Sequence, residues 1–453
     1  MNKQIIFGTD GIRGKATEFP FTQDGLNRIG NAIGMWATKK YKRFQPRLLI
    51  ATDTRESGIR IKENLINCLL QFPLEIVDAF VLSTPAVCQF VCKSGNFDFG
   101  IVVSASHNPY YDNGIKLFDG TTCKLSLEDE KIILGFINAQ ESYVGSGEAQ
   151  GKVSLWEKAY KNYYDTIKSY FNHDFLRDIT IVIDCAHGAT SNLAQQIFEF
   201  FGARVIALAD MPTGTNINDG CGTLHPEFLK EHVLANKADI GFAFDGDGDR
   251  IICVNRHGAV KDGDDILFLL TQHVNYHNSK EFVGTIMSNS GFEDYLIACG
   301  KKLVRTNVGD KYVVAALEER GLLLGGEVSG HIIARDYLAT GDGIFVALRV
   351  LESIIQEQNW EVKTFERKPQ VLLNVPIKKR DDLAKDPYRK IIQDYEQKLQ
   401  KGRILVRFSG TEDILRVMVE DMALHNTQHI AEELASALVN ALQQTTMIAG
   451  AVK

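Results

Sequence analysis

The chain has 453 residues, 45% of them hydrophobic and 24% charged, with a formal net charge of -7. At roughly 100–200 residues per domain, that length holds three or four domains, each able to bury a core. The acidic balance argues against nucleic acid or an anionic membrane as a partner, although a local basic pocket fits within it.

The N-terminal MNKQIIFGTDGIRG lacks a long apolar stretch, so no signal peptide or membrane span is expected and a cytoplasmic location is. Gly8-Thr9-Asp10-Gly11-Ile12-Arg13-Gly14 combines a pliant backbone with a phosphate-seeking arginine. It is not a Walker A loop: Thr9 stands five residues before Gly14, and Ala16 replaces the hydroxyl needed after Lys15. The cysteines, at 68, 88, 92, 123, 185, 221, 253 and 299, form no C-x-x-C pair, which excludes a zinc knuckle or a thioredoxin-like motif. Most sit in apolar runs, where free buried thiols are expected.

Short β-branched runs alternate with amphipathic stretches, the pattern of an α/β fold. In chain order, LNRIGNAIGMWATKK predicts a helix; RLLIATD, FGIVVSAS and ITIVIDCA predict strands. NLAQQIFEFFG reads as a helix, ARVIALA, IGFAFDG and IICVN as strands, and FVALRVLESIIQEQ as a late helix. Four times an apolar run ends directly in a polar loop: SASHNP, DGDGDR, GGEVSGH and RFSGTE. Open α/β sheets place ligand groups at strand ends, so four such loops suggest one site assembled from four domains. Boundaries are expected at polar or Pro-containing connections, giving domains at 1–150, 151–257, 258–368 and 369–453. The connections are the polar stretch at 138–152, the helix start near DGDDI, and RKPQVLLNVPIKKR.

The first loop offers Ser106 as a nucleophile, with His107 beside it and Lys116 returning to the site after a turn at Asn113-Gly114. Serine needs such an activating neighbour. The G-x-S-x-G elbow of acyl transfer is absent, and a polar turn closing a strand would carry the same letters. In the second loop, Asp245, Asp247 and Asp249 alternate with glycines, followed by Arg250. Carboxylates that close repel unless a cation neutralises them, and oxygen ligands favour magnesium or calcium. An EF-hand is excluded by Arg250 at the sixth loop position and Arg256 at the twelfth. The third loop offers Glu327, Ser329 and His331 for hydrogen bonds to sugar hydroxyls. The fourth offers Arg407, Ser409, Gly410 and Thr411, with Arg416 nearby, as an anion cradle.

In order, FGTDGIRG, SASHNPYYDNGIKLF, IDCAHGATS, NINDGCG, DGDGDR, TNVGDKYV, GGEVSGH, TGDGI and RFSGTEDILRVMVE resemble the α-D-phosphohexomutase superfamily over essentially the whole chain. Within it the likeness is to the bacterial amino-sugar branch. The resemblance implies four domains around a central cleft, the first three sharing an α/β topology with mixed sheets and the fourth a smaller α+β domain. It implies a phosphorylated Ser106, one Mg²⁺ held by Asp245, Asp247, Asp249 and an oxygen on Ser106, and sugar contacts from Glu327 and Ser329. Arg407, Ser409, Gly410, Thr411 and Arg416 would grip the phosphate that is not reacting. Three departures stand out: Val328 where the pattern has glutamine, Asp413 where it has proline, and Cys221-Gly-Thr-Leu-His-Pro-Glu where it has CGSTHPE.

The implied reaction interconverts glucosamine 6-phosphate and glucosamine 1-phosphate through a 1,6-bisphosphate, supplying amino-sugar precursors of the cell wall. A hexosamine or hexose 1,6-bisphosphate would act as catalytic activator, and a homodimer is suggested. Phosphoryl transfer asks mainly for positioning and charge stabilisation, with Arg250 and Lys116 as helpers. His107, Lys116 and His331 are all open as proton carriers. Three rivals remain: a phosphomannomutase/phosphoglucomutase, a phosphosugar phosphatase, and a non-catalytic phosphosugar sensor.

Overall fold

A computed structural model describes residues 5–8, 10–42, 45–139, 150–378, 380–408 and 413–450, with side chains to residue 443. It divides into two compact units, Met1–Ser288 with Lys301–Thr364 and Asn289–Gly300 with Phe365–Lys453.

The larger unit contains three sheets that repeat one plan. In the first, Arg47–Thr52 lies between Glu75–Val81 and Phe99–Val103, both parallel to it, and Asp112–Asp119 runs antiparallel beyond Phe99–Val103. In the second, Thr180–Asp184 lies between Arg204–Leu208 and Ile240–Phe244, with Ile251–Asn255 antiparallel on the outside. In the third, Glu281–Thr285 lies between Lys302–Thr306 and Leu324–Gly326, with Ile332–Ala334 antiparallel. Each repeat therefore has the spatial order second, first, third, fourth strand. In each, the third and fourth strands form a hairpin, and the loop of that hairpin is one of the polar loops singled out above.

The central strands are buried on both faces, which is why they read as unbroken apolar runs: IGFAF is buried at all five positions. Helices cover those faces. Gln23–Lys40 turns Leu26, Ile29, Ile33 and Trp36 inward onto a core that includes Leu48, Ile50, Phe99 and Ile101. The helix expected near DGDDI is Gly263–Leu270, started by a capping box between Asp262 and Asp265. The strand Lys152–Leu155 pairs with Glu75–Val81, so it continues the first sheet past the 150/151 boundary drawn from the sequence. Residues 140–149 of the polar connection lie outside the described residues.

The smaller unit holds an antiparallel sheet in which Ile414–Glu420 lies between Gln370–Pro376 and Arg403–Phe408. Tyr388 of the helix Tyr388–Glu396 and Ile430, Leu434 and Leu438 of the C-terminal helix Leu424–Gly450 pack on Leu415, Val417 and Val419 of the sheet. This is the α+β arrangement expected for the fourth domain.

Most of the cysteines are buried free thiols, as expected, with one pair as the exception. Cys92 and Cys123 are joined by a disulfide, whereas Cys68, Cys88, Cys185, Cys221 and Cys253 are buried free thiols and Cys299 is an exposed one. The two half-cystines lie 31 residues apart, so spacing carried no hint of their meeting.

Candidate active site

Ser106 ends the strand Phe99–Val103 in a left-handed conformation, φ 56°, which a residue with a side chain adopts only when its surroundings hold it there. The hold is visible. Arg55, fully buried, donates from both terminal nitrogens to the carbonyls of Ser106 (2.9 Å), Asn108 (2.7 Å), Asp112 (3.1 Å) and Pro109. Its Nε donates to Asp53 Oδ2 at 2.9 Å, so all five guanidinium protons are used. Asp53 also accepts from the Ser104 hydroxyl at 2.6 Å, and Ser104 Oγ in turn accepts the Ser106 N–H at 2.9 Å. Asn218, from the NINDGCG segment, donates to the Ser106 carbonyl as well, at 2.9 Å.

So oriented, the Ser106 hydroxyl is buried and donates to Asp245 Oδ2 at 2.5 Å, with His107 Nδ1 at 3.2 Å. Asp245, Asp247 and Asp249 each present a carboxylate oxygen within 4.8 Å of the others. Gly248, φ 76°, makes the loop turn back on itself, its N–H donating to the Asp245 carbonyl at 3.0 Å. Burial and then the neighbouring Asp249 and Asp247 push the Asp245 carboxyl up to about 8. Asp247 Oδ1 and Asp249 Oδ1 are buried without a hydrogen-bond partner among the described residues. Crowded hard oxygens with unsatisfied lone pairs fit a small dication such as Mg²⁺, and this is the chemistry expected of the loop.

Lys116 reaches the same cluster, but not by the expected turn. Asn113 and Gly114 lie inside the strand Asp112–Asp119, paired with Gly14 and Arg13, and the chain reverses at 106–111 instead. The alternation of the strand then points Lys116 inward, 1% exposed, with its ammonium 2.7 Å from Asp247, 2.9 Å from Asp249 and 2.7 Å from Asp10. Burial opposes that charge, but the three carboxylates outweigh it and hold Lys116 firmly protonated. The alternation of sign continues outward: Asp10 pairs with Lys124 at 3.1 Å, and Lys124 with Asp310 at 2.5 Å. Arg13 lies beside this chain, 3.4 Å from Asp10 and from the Ala105 carbonyl. Arg250 Nε lies 3.9 Å from Asp249, and its backbone N–H donates to Asp245 at 3.1 Å.

The third loop meets the second edge to edge. Gly330, φ 87°, packs so tightly on Ile251 that a Cβ would lie 2.0 Å from its carbonyl oxygen. Glu327 is buried and accepts the Gly309 N–H at 2.8 Å, while Ser329 is exposed. His331 Nε2 accepts the Gly341 N–H at 3.0 Å, which leaves its proton on Nδ1, facing Asp249 Oδ1 at 3.6 Å. Ser106, His107, Lys116, Arg13, Arg250, Glu327, His331 and the three aspartates are thus linked through neighbouring loops of the larger unit.

In the smaller unit, Arg407 and Arg416 stand directly opposite each other on adjacent antiparallel strands. Burial and then the charge of Arg416 shift Arg407 downward. Like charges so placed are unfavourable unless an anion joins them. Ser409, Gly410 and Thr411, which join those strands, lie outside the described residues. Sequence reasoning gave no role to Asp10, Asp53, Arg55, Lys124, Asn218 and Asp310, nor to Thr84, whose hydroxyl donates to Asp247 at 2.5 Å. An Asp-x-Arg pair at the end of an apolar strand was the one available sign of the Arg55 clamp.

Residues 4–144, 161–258 and 262–368 match the families described as phosphoglucomutase/phosphomannomutase alpha/beta/alpha domains I, II and III, and residues 372–437 match the corresponding C-terminal domain. A phosphoglucosamine mutase of Aeromonas hydrophila is 40% identical, covering 96% of this chain and 99% of the relative. One of Acinetobacter baylyi is 41% identical, covering 95% and 98%. Among solved structures, a phosphoglucomutase/phosphomannomutase family protein from Burkholderia thailandensis shares the fold with a TM-score of 0.79 at 22% identity, covering 97% of this chain and 98% of that one. Aspergillus fumigatus N-acetylphosphoglucosamine mutase, in complex with GlcNAc-6P and magnesium, does so with a TM-score of 0.65 at 18% identity, covering 97% and 96%.

Proposed function

The chain belongs to the phosphoglucomutase/phosphomannomutase family, and on that premise we propose that it interconverts glucosamine 6-phosphate and glucosamine 1-phosphate through a phosphorylated Ser106 and a 1,6-bisphosphate intermediate. The observation that carries the chemistry is the buried Ser106 hydroxyl aimed into three crowded carboxylates. The amino sugar comes from relatives about 40% identical over nearly the full length, which carry the name phosphoglucosamine mutase.

Ser106 carries the phosphoryl group and gives it to the free hydroxyl of the bound sugar phosphate. The bisphosphate turns over and returns a phosphoryl group from its other end. Asp245, Asp247, Asp249 and the group on Ser106 would hold Mg²⁺, which when bound would offset the charge of the transferring phosphoryl. Arg250 and Arg13 add positive charge on the same side. The proton that the sugar hydroxyl gives up ends on the Ser106 oxygen that loses the phosphoryl group; His107, 3.2 Å from that oxygen and kept neutral by burial and then by Arg250 and Arg13, hydrogen-bonds it without adding charge. Lys116, locked among carboxylates, balances charge and does not shuttle a proton. His331 orients Asp249.

Glu327 and Ser329 hydrogen-bond the sugar hydroxyls, and Arg407, Ser409, Gly410, Thr411 and Arg416 hold whichever phosphate is not reacting. A trace of hexose or hexosamine 1,6-bisphosphate recharges any serine that has lost its phosphoryl group. The experiment follows glucosamine, mannose and glucose 6-phosphates by phosphorus NMR with Mg²⁺ and that activator, for wild type and Ser106→Ala. Glucosamine 1-phosphate forming fastest, and only with Ser106, is the expected result. Free phosphate as main product would make the protein a phosphatase; faster turnover of mannose or glucose phosphate would overturn the sugar.

A further inference from the structure

Outside the carboxylate cluster, three sulfurs converge. Cys88 and Cys92 lie four residues apart on the helix Thr84–Cys92, hence on one face, and Cys123 lies on the short strand Cys123–Lys124. The three sulfurs fall within 4.8 Å of one another, and Cys88 Sγ is 3.5 Å from Cys92 Sγ. The Cα atoms of the bonded pair, Cys92 and Cys123, are 5.3 Å apart, within the usual span of a disulfide. Both are half-buried and within reach of small reagents, whereas Cys88 is closed off.

Each side of this cluster runs into the site. The helix that ends at Cys92 begins at Thr84, whose hydroxyl donates to Asp247 at 2.5 Å. The residue after Cys123 is Lys124, which joins Asp10 to Asp310. Cys123 itself is held at φ 63°. A bond at Cys123 therefore fixes the backbone from which Lys124 reaches its two carboxylates.

We propose that Cys92 and Cys123 form a reversible disulfide that pins Lys124, so that thiol oxidation tunes the neighbouring phosphosugar site. The claim about tuning rests on the function proposed above; the bond and its hold on Lys124 do not. Formation takes two electrons and two protons from the two thiols to hydrogen peroxide, which leaves as two waters. A dithiol reverses it by exchange, ending as its own cyclic disulfide. Cys88 takes no part at neutral pH, because burial pushes its thiol up to about 12 and only the thiolate attacks.

The test treats the full-length protein with peroxide or dithiothreitol, maps alkylated and cross-linked peptides by mass spectrometry, and measures the rate at which Lys124 is acetylated by an activated ester. The expected result is a Cys92–Cys123 cross-link after peroxide, lost with dithiothreitol, and severalfold faster acetylation of Lys124 in the reduced form. Turnover should fall severalfold on reduction. Cys123→Ser should behave as reduced enzyme under both treatments, and Cys299→Ser should respond like wild type. Full alkylation of Cys92 and Cys123 after peroxide, or equal Lys124 labelling in both states, overturns the proposal. A cross-link and a Lys124 response in an enzyme that turns over no sugar phosphate would overturn the functional reading and leave the bond standing.

Discussion

Replacing Arg55 by lysine isolates what its planar fork does for Ser106. Arg55→Met is too blunt: it strips the cation from fully buried Asp53, and breaking a buried pair from one side costs about 3–5 kcal/mol. The carbonyls of Pro109 and Asp112 would also lose their guanidinium donor, although Pro109 still accepts the Asp112 N–H at 3.1 Å. The broken pair alone is a large share of the stability of many domains, about 5–15 kcal/mol. Lysine keeps the charge beside Asp53 but has three donors for five bonds. At about 1–1.5 kcal/mol for each of the two lost, Arg55→Lys should cost about 2–3 kcal/mol in urea unfolding. Asn218 still binds the carbonyls of Ser106 and Asn108, so the loop should loosen without leaving its place. A nucleophile displaced by about 1 Å loses on the order of 100-fold in rate, and Arg55 faces the loop, so kcat should fall by about that factor with KM nearly unchanged. The assay is phosphosugar turnover at saturating Mg²⁺ beside the unfolding curve. A destabilised enzyme with wild-type kcat would refute the reasoning, because the clamp would then serve only folding.

Three further outcomes are expected. Arg416→Met removes one of two opposed guanidinium groups, so KM for the phosphosugar should rise roughly 10- to 100-fold at little cost in kcat, measured by steady-state turnover. Asp342, bonded to Tyr163 (2.7 Å) and Tyr337 (3.0 Å), is pushed by burial up to about 6. Its folded value lies above its unfolded one, so its contribution is fullest below pH 4 and is lost as pH rises through about 6; relative to wild type, Asp342→Asn should gain stability across that window, by at most about 3 kcal/mol, in pH-resolved melting. Chelation with EDTA should stop turnover reversibly, and Asp247→Asn should weaken Mg²⁺ binding, measured by titration calorimetry, at least about tenfold.

The strands and loops were legible because both signals are local. A run such as IGFAF advertises a strand buried on both faces, and three alternating aspartates directly after it make sense only if something neutralises them. The Arg55 clamp was not legible in the same way. Its partners lie 51 to 57 residues away, and a buried Asp-Arg pair spells like a solvated turn until burial is known. Asn113-Gly114 misled for the opposite reason: the dipeptide is a strong turn signal, overridden here by pairing with Arg13 and Gly14. The Lys116–Asp10–Lys124–Asp310 series was invisible because each carboxylate or amine comes from a different stretch of chain. Sulfur pairing across 31 residues belongs to that class too.

The threefold strand plan also bears on ancestry. One β-α-β-α-β-β segment, copied twice, gives three hairpins at equivalent addresses, and selection could then specialise each tip separately: a hydroxyl in one, carboxylates in another, a buried glutamate in the third. Under the function proposed above, a descendant preferring another hexose would carry its new letters in the Glu327 hairpin, keeping Gly330, which packs on Ile251, and the other two tips.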